Sequence, residues 1–214
     1  MGGGHSLTSY YLKADRPKLD WSEAENEAQE NWQTWKDSFE DDGPFNRMPV
    51  VADVHCFQSF LYEYSVSRGF TRKDWLRFRD AACKQGTVSS HKELHDLAFR
   101  TLNQGRVPEK MRRSGSMCSK LLSLWRPAQY PMMDSLATRG LQISVKAPRG
   151  KGFYSDPDQT FDRFSNGIFA FAGLVADEMN RDISKSSAAS NAMRLRIIDN
   201  ALMRIGRIDL ETGS

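Results

Sequence analysis

Residue types able to do chemistry at a sugar carbon converge on one stretch, SKLLSLWRPAQYPMMDSLA, which carries Lys120 and Asp134. A neutral lysine amine is a nucleophile, and burial or nearby cations such as Arg112, Arg113 and Arg126 keep it neutral. A carboxylate stabilises the positive charge that grows on a sugar as its glycosidic bond breaks. Spacing lets the two cooperate. Residues 117–126 read as a short apolar helix, about 15 Å long at 1.5 Å per residue. Residues 127–133 span at most roughly 23 Å when extended, enough to return to the beginning of that helix. Pro131 restricts Tyr130 to an extended conformation and so aims the return. Lys120 and Asp134 are therefore expected in one cleft. Each has a plainer role open to it as well. Asp134 stands where a helix N-cap belongs, and Lys120 can serve as a phosphate contact.

Charge places this stretch in context. The chain carries a net +3, but residues 98–151 hold eleven basic and two acidic residues, a balance of +9. Residues 1–60 balance at −6, 61–97 at +2 and 152–214 at −2. A basic segment with few acids is the footprint of a phosphate-binding surface; a solvated basic face is the competing explanation. Lys110, Arg112, Arg113 and Arg126 are the phosphate-binding candidates, with the Gly115 backbone and the Ser116 hydroxyl beside them. Trp125 and Tyr130 offer rings for stacking on a base, core packing being the alternative for Trp125. Phe153 and Tyr154 follow in the loop after the basic run.

Other chemistries lack their residues. There is no GxxxxGK[ST] loop, GxGxxG, GxSxG or paired-carboxylate motif. His91 and His95 share a helix face, yet no HExxH pattern or acid cluster accompanies them, so neither metal nor cofactor is expected. Cys56, Cys83 and Cys118 form no CxxC pair and read as small buried hydrophobes of a reducing, cytoplasmic protein. No run of about 18 apolar residues predicts a membrane span.

The same string resembles a pattern of the helix-hairpin-helix DNA glycosylase superfamily, in particular the compact bacterial proteins similar to 8-oxoguanine DNA glycosylase. In that pattern a hairpin turn precedes a lysine, an apolar helix, a P-x-x-(F/Y)-P-(I/M)-x-D return and the catalytic aspartate. Ser119, Lys120, Leu121, Leu122, Pro127, Tyr130, Pro131 and Asp134 match it. RLRIIDNALMRIG is similar to the closing helix of such proteins. Before the lysine the chain reads RRSGSMCSK where the family has L-P-G-(V/I)-G-x-K, so only Gly115 matches the glycine turn. The resemblance implies a glycosylase that flips a base out of duplex DNA. Asp134 would stabilise the sugar cation, and Lys120 would attack C1′ to form a Schiff base. It also implies a monomer needing no cofactor, acting on an oxidised purine in repair or on a hypermodified, phage-type base in antiviral defence.

The elements that must position these residues follow from apolar spacing. A helix is expected over 22–40, capped by Ser22 with Glu25 in a capping box, and with Trp32, Trp35 and Phe39 on one stripe. A second runs over 50–68 with Val54, Phe57, Leu61 and Tyr64 inward, His55 beside that stripe, and Gly69 ending it. Thr71 and Asp74 box a third helix burying Trp75, Phe78 and Ala82, and Ser89 or Ser90 starts a fourth. A turn-rich basic link, 104–119, leads to the hairpin. Then come a loop whose strand-like residues are 144–146, a buried helix over 161–180 apolar almost all round, and an amphipathic helix over 191–207. The prediction is an all-α, compact multi-helix domain over 21–210 with a helix-hairpin-helix-like DNA-binding element, preceded by an irregular arm, 1–20. Three functions remain in play: a DNA glycosylase, a non-catalytic helical DNA-binding module, and an interaction subunit whose acidic amino-terminal helices mask the basic half.

Overall fold

Short polar side chains begin most of the helices by accepting a hydrogen bond from a first-turn amide that has no partner within the helix. Asp20 accepts from Glu23, Asp53 from Cys56, Thr71 from Asp74, Ser90 from Glu93, Asp134 from Leu136 and Ser184 from Ser187. The computed structural model describes residues 10–35, 49–66, 69–85, 88, 90–112, 114–146 and 160–212. The fold is all-α. Its only sheet among the described residues is one antiparallel pair, β1 (Tyr11–Leu12) against β2 (Val145–Lys146), with Tyr11 opposite Lys146 and Leu12 opposite Val145. None of the described helices is long and apolar enough to cross a membrane.

The chain divides into two compact units, Met1–Glu30 with Met133–Ser214, and Asn31–Met132. The first contains most of α1 (Trp21–Trp35), α7 (Ser135–Ser144), α8 (Thr160–Leu174), α9 (Ala176–Asp182), α10 (Lys185–Ala189) and α11 (Asn191–Thr212). Its core gathers Trp21, Leu141, Phe164, Ile168, Phe171 and Ile198, all buried. Here α7 and α11 approach to backbone contact. A Cβ on Gly140 would lie 2.0 Å from the Leu202 carbonyl oxygen, and one on Gly206 would lie 2.1 Å from that of Leu136. Only glycine permits that approach.

The second unit contains α2 (Pro49–Ala52), α3 (Val54–Glu63), α4 (Arg72–Lys84), α5 (His91–Leu102) and α6 (Gly115–Trp125), with a 3-10 turn at Pro108–Lys110. Its core is aromatic. Phe57 stacks on Phe60 at 6.3 Å, and Trp75 meets Phe57 and Phe78 edge-on, each at 6.5 Å. The α4 capping box forms as expected, with Trp75, Phe78 and Ala82 buried, and Ser90 caps α5.

Several expected elements differ. α1 starts at Trp21 under Asp20 rather than under Ser22, because Asp20 offers an equally good cap earlier in the chain. Glu25 is buried instead of boxing the helix, and accepts from the amide and hydroxyl of Ser184. The expected helix over 50–68 is broken at Asp53, whose carboxylate takes the Cys56 amide at 2.6 Å and restarts the chain as α3. α3 ends at Glu63, ahead of the left-handed Ser65 (φ 49), well short of Gly69. The apolar helix over 161–180 is two helices, and it is not apolar-buried all round, since Phe169 and Leu174 are exposed. α11 continues to Thr212. Phe39 lies outside the described residues.

Candidate functional site

α6 is more completely buried than α3, α4 or α5 of the same unit. From Met117 to Trp125 every side chain is buried, including Ser119, Lys120 and Ser123. Its first turn is held from α5, where His91 Nε2 lies 3.1 Å from the Gly115 carbonyl oxygen and donates to it. Burial holds the His91 imidazole neutral, pushing its pKa down to about 4. Gly115 is thus the first residue of a helix and not a left-handed turn residue; the positive-φ glycines among the described residues are Gly69 and Gly105. Twelve residues, 103–114, separate α5 from α6.

Lys120 is 8% exposed. Its ammonium lies 3.5 Å from the Tyr64 carbonyl oxygen and 5.8 Å from the centre of the Tyr64 ring. A lysine so enclosed is uncommon. Asp134, half-buried, caps α7 with Oδ1 2.8 Å from the Leu136 amide, while its carbonyl accepts from the Thr138 hydroxyl at 2.7 Å. Lys120 belongs to the unit Asn31–Met132 and Asp134 to the other.

The remaining candidates fall into distinct settings. Trp125 is 1% exposed, so its ring presents no free face to a base and fills the core instead. The guanidinium of Arg126 sits 4.1 Å above that ring, a cation–π contact that keeps it at the C-terminus of α6. Tyr130 is half-buried against the aromatic core, and burial raises the pKa of its hydroxyl. Ser116 is half-buried and its carbonyl accepts from Ser119. Lys110 and Arg112 are exposed. Arg113, Phe153 and Tyr154 lie outside the described residues.

Two residues not singled out from the sequence organise the loop before α6. Asn103, buried, donates to the Arg112 carbonyl and accepts from its amide, both at 2.9 Å, closing the loop like a clasp. Arg106 pairs with Asp74 at 3.0 Å and lies 4.8 Å from the centre of the Phe70 ring. An asparagine directly after a helix, with a glycine two residues on, was the available signal for the clasp.

Glu23, Glu25 and Glu27 of α1 are engaged within their own unit. Glu23 and Glu27 pair with Arg204 of α11, and Glu178 pairs with Arg16 and accepts from the Trp21 indole. Lys13, Arg16, Lys18 and Arg181 line a shallow cleft of about 540 Å³ in that unit, with Glu178 and Asp182 among them. Among the described residues no group of three or more His, Cys, Asp or Glu side chains is placed to hold a metal ion. His91 and His95 stack ring on ring at 6.0 Å, and His55 is exposed. All three cysteines are free thiols, and burial pushes the Cys118 thiol far up.

No family model matches the chain, and neither a curated protein nor a solved structure matches it.

Proposed function

We propose that the chain is a DNA glycosylase that draws a damaged or modified base out of duplex DNA and cleaves its N-glycosidic bond. The observation that carries this is the near-complete burial of Lys120 in an apolar helix within the most basic stretch of the chain. A lysine amine is among the side chains that attack a sugar carbon to form a Schiff base. Further support comes from the order lysine, apolar helix, proline-aimed return and aspartate, which resembles that of helix-hairpin-helix glycosylases. In the proposed reaction Asp134 stabilises the positive charge on the sugar as the base leaves. Lys120 adds to C1′, and the resulting Schiff base allows strand cleavage. Lys110, Arg112 and Arg126 supply phosphate contacts.

Duplexes carrying oxidised purines or bulky hypermodified bases test the proposal directly. Wild-type protein releases at least one of these bases, detected by mass spectrometry, and borohydride traps a covalent adduct. Asp134→Asn abolishes release while retaining the cap, since asparagine caps as well as aspartate. Lys120→Met abolishes trapping. Base release undiminished in Asp134→Asn would falsify the mechanism.

One pair of observations favours a second function. The Asp134 carboxylate caps α7 and the Lys120 amine faces a backbone carbonyl, contacts that a non-catalytic DNA-binding module also requires. Such a module binds DNA with a log-linear salt dependence and releases no base.

A further inference from the structure

We infer that the loop 103–112 and the first turn of α4 form one DNA-docking surface, in which Val107 and Met111 enter the minor groove as an apolar wedge. The inference rests on the proposal that duplex DNA is the partner.

The loop is preformed. Asn103 clasps the backbone of Arg112 at both hydrogen-bonding groups, and Gly105 turns the chain at φ 81. Arg106 anchors the loop to α4 through Asp74 and packs on Phe70. The Arg112 side chain occupies the space where a Cβ on Gly69 would stand, with Nη1 2.3 Å from that position. The loop therefore lies along residues 69–74. Exposed Arg72 and Lys73 directly precede Asp74, which Arg106 of the loop holds, and exposed Lys110 and Arg112 stand in that same loop. Sequence order separates these pairs by more than thirty residues, and only the packing joins them. Glu109 is the exposed acid within the loop; Asp74 is engaged by Arg106, Arg77 and Thr71.

Val107 and Met111 bracket the 3-10 turn Pro108–Lys110 and are 51% and 40% exposed. At about 2 Å rise per residue they stand roughly 8 Å apart. Two uncovered apolar side chains flanked by cations, on a loop ordered by its own hydrogen bonds, present a preformed face to a partner that is both anionic and apolar. Phosphates complement the four cations, and apolar side chains of this kind enter the minor groove and unstack a base step.

The test uses the full chain, a fluorescently labelled duplex and a salt series. Arg72→Ala with Lys73→Ala lowers the slope of log affinity against log salt by about 2. Val107→Ser with Met111→Ser keeps that slope, but loses the rise in fluorescence of a 2-aminopurine placed beside the target base and slows base release about tenfold. These side chains are exposed, so thermal midpoints stay at the wild-type value. Both double variants matching wild type, with wild-type DNA binding and base release intact, would overturn the docking surface alone. Binding that follows the predicted slopes without any base release would overturn the glycosylase and leave the surface standing. No duplex binding by the wild type at low salt would overturn both.

Discussion

Around α7 and α11, helices meet backbone to backbone through glycine; around α6, they are spaced by rings. Both units bury aliphatic side chains and rings, yet their helices approach one another differently. In the first, Gly140 and Gly206 remove side chains from the crossing, and ion pairs such as Arg204 with Glu23 and Glu27 lie at the rim. In the second, Phe57, Phe60, Trp75 and Phe78 fill the space, and Lys120 is enclosed beside Tyr64. The difference bears on the candidate site. A core of large rings can enclose an amine and leave room for its chain, whereas a glycine crossing holds a helix start, and hence the Asp134 carboxylate, in a fixed position. The two proposed catalytic groups thus owe their settings to two unlike kinds of packing.

The strongest test of that contrast removes a ring. Phe78→Ala leaves a cavity in the aromatic core and costs about 3–5 kcal/mol. Hydrogen exchange should quicken in α3, α4 and α5 while α7 and α11 keep their protection. Equal loss in both sets of helices would show that the units unfold as one, and the contrast would lose its energetic meaning.

Gly140→Val is the complementary change. A side chain directed at the Leu202 carbonyl forces α11 away and costs about 3 kcal/mol, read as a lowered denaturant midpoint. Protection should now fall in α7 and α11 first. An unchanged midpoint would mean that the helices separate freely.

Acid sharpens the comparison next. His91 keeps a folded-state pKa of about 4 against 6.5 for the unfolded chain. The unfolded state therefore binds more protons between these values, and stability falls as pH drops from 6.5 towards 4, by at most about 3 kcal/mol. Above pH 6.5 this contribution is fully present. His91→Gln should flatten the acid limb of a stability profile; a profile of unchanged slope would remove His91 as its cause.

The smallest expected effect is at Asp134. Asp134→Ala removes the α7 cap and costs about 1 kcal/mol, whereas Asp134→Asn costs a few tenths at most. Equal losses in thermal stability would show that the carboxylate charge, rather than its hydrogen bond to Leu136, holds the helix start.

Much of the second unit was legible in the sequence, because its rules are local. Thr71 and Asp74 lie three residues apart and box α4; Trp75, Phe78 and Ala82 follow helical spacing and turn inward. The cap at Asp134 was legible for the same reason, as was an apolar helix around Lys120. The break at Asp53 was not, since an apolar stripe continues through it while a single side chain takes over the backbone amide.

What the sequence by itself determined is the all-α class, the basic stretch around α6, and most of the helix starts. These depend on neighbours a few residues away. What only the tertiary structure decided is which of those features act together. A glycine within a helix reads as a weakness until Leu202 or Leu136, more than sixty residues distant, is seen against it. Glu25 reads as half of a capping box until Ser184 takes its carboxylate. Arg72 and Lys73 read as a separate helix start until Asn103 and Arg106 fold the following loop against them. Close approach and charge balance depend on distance in space, which order along the chain does not encode.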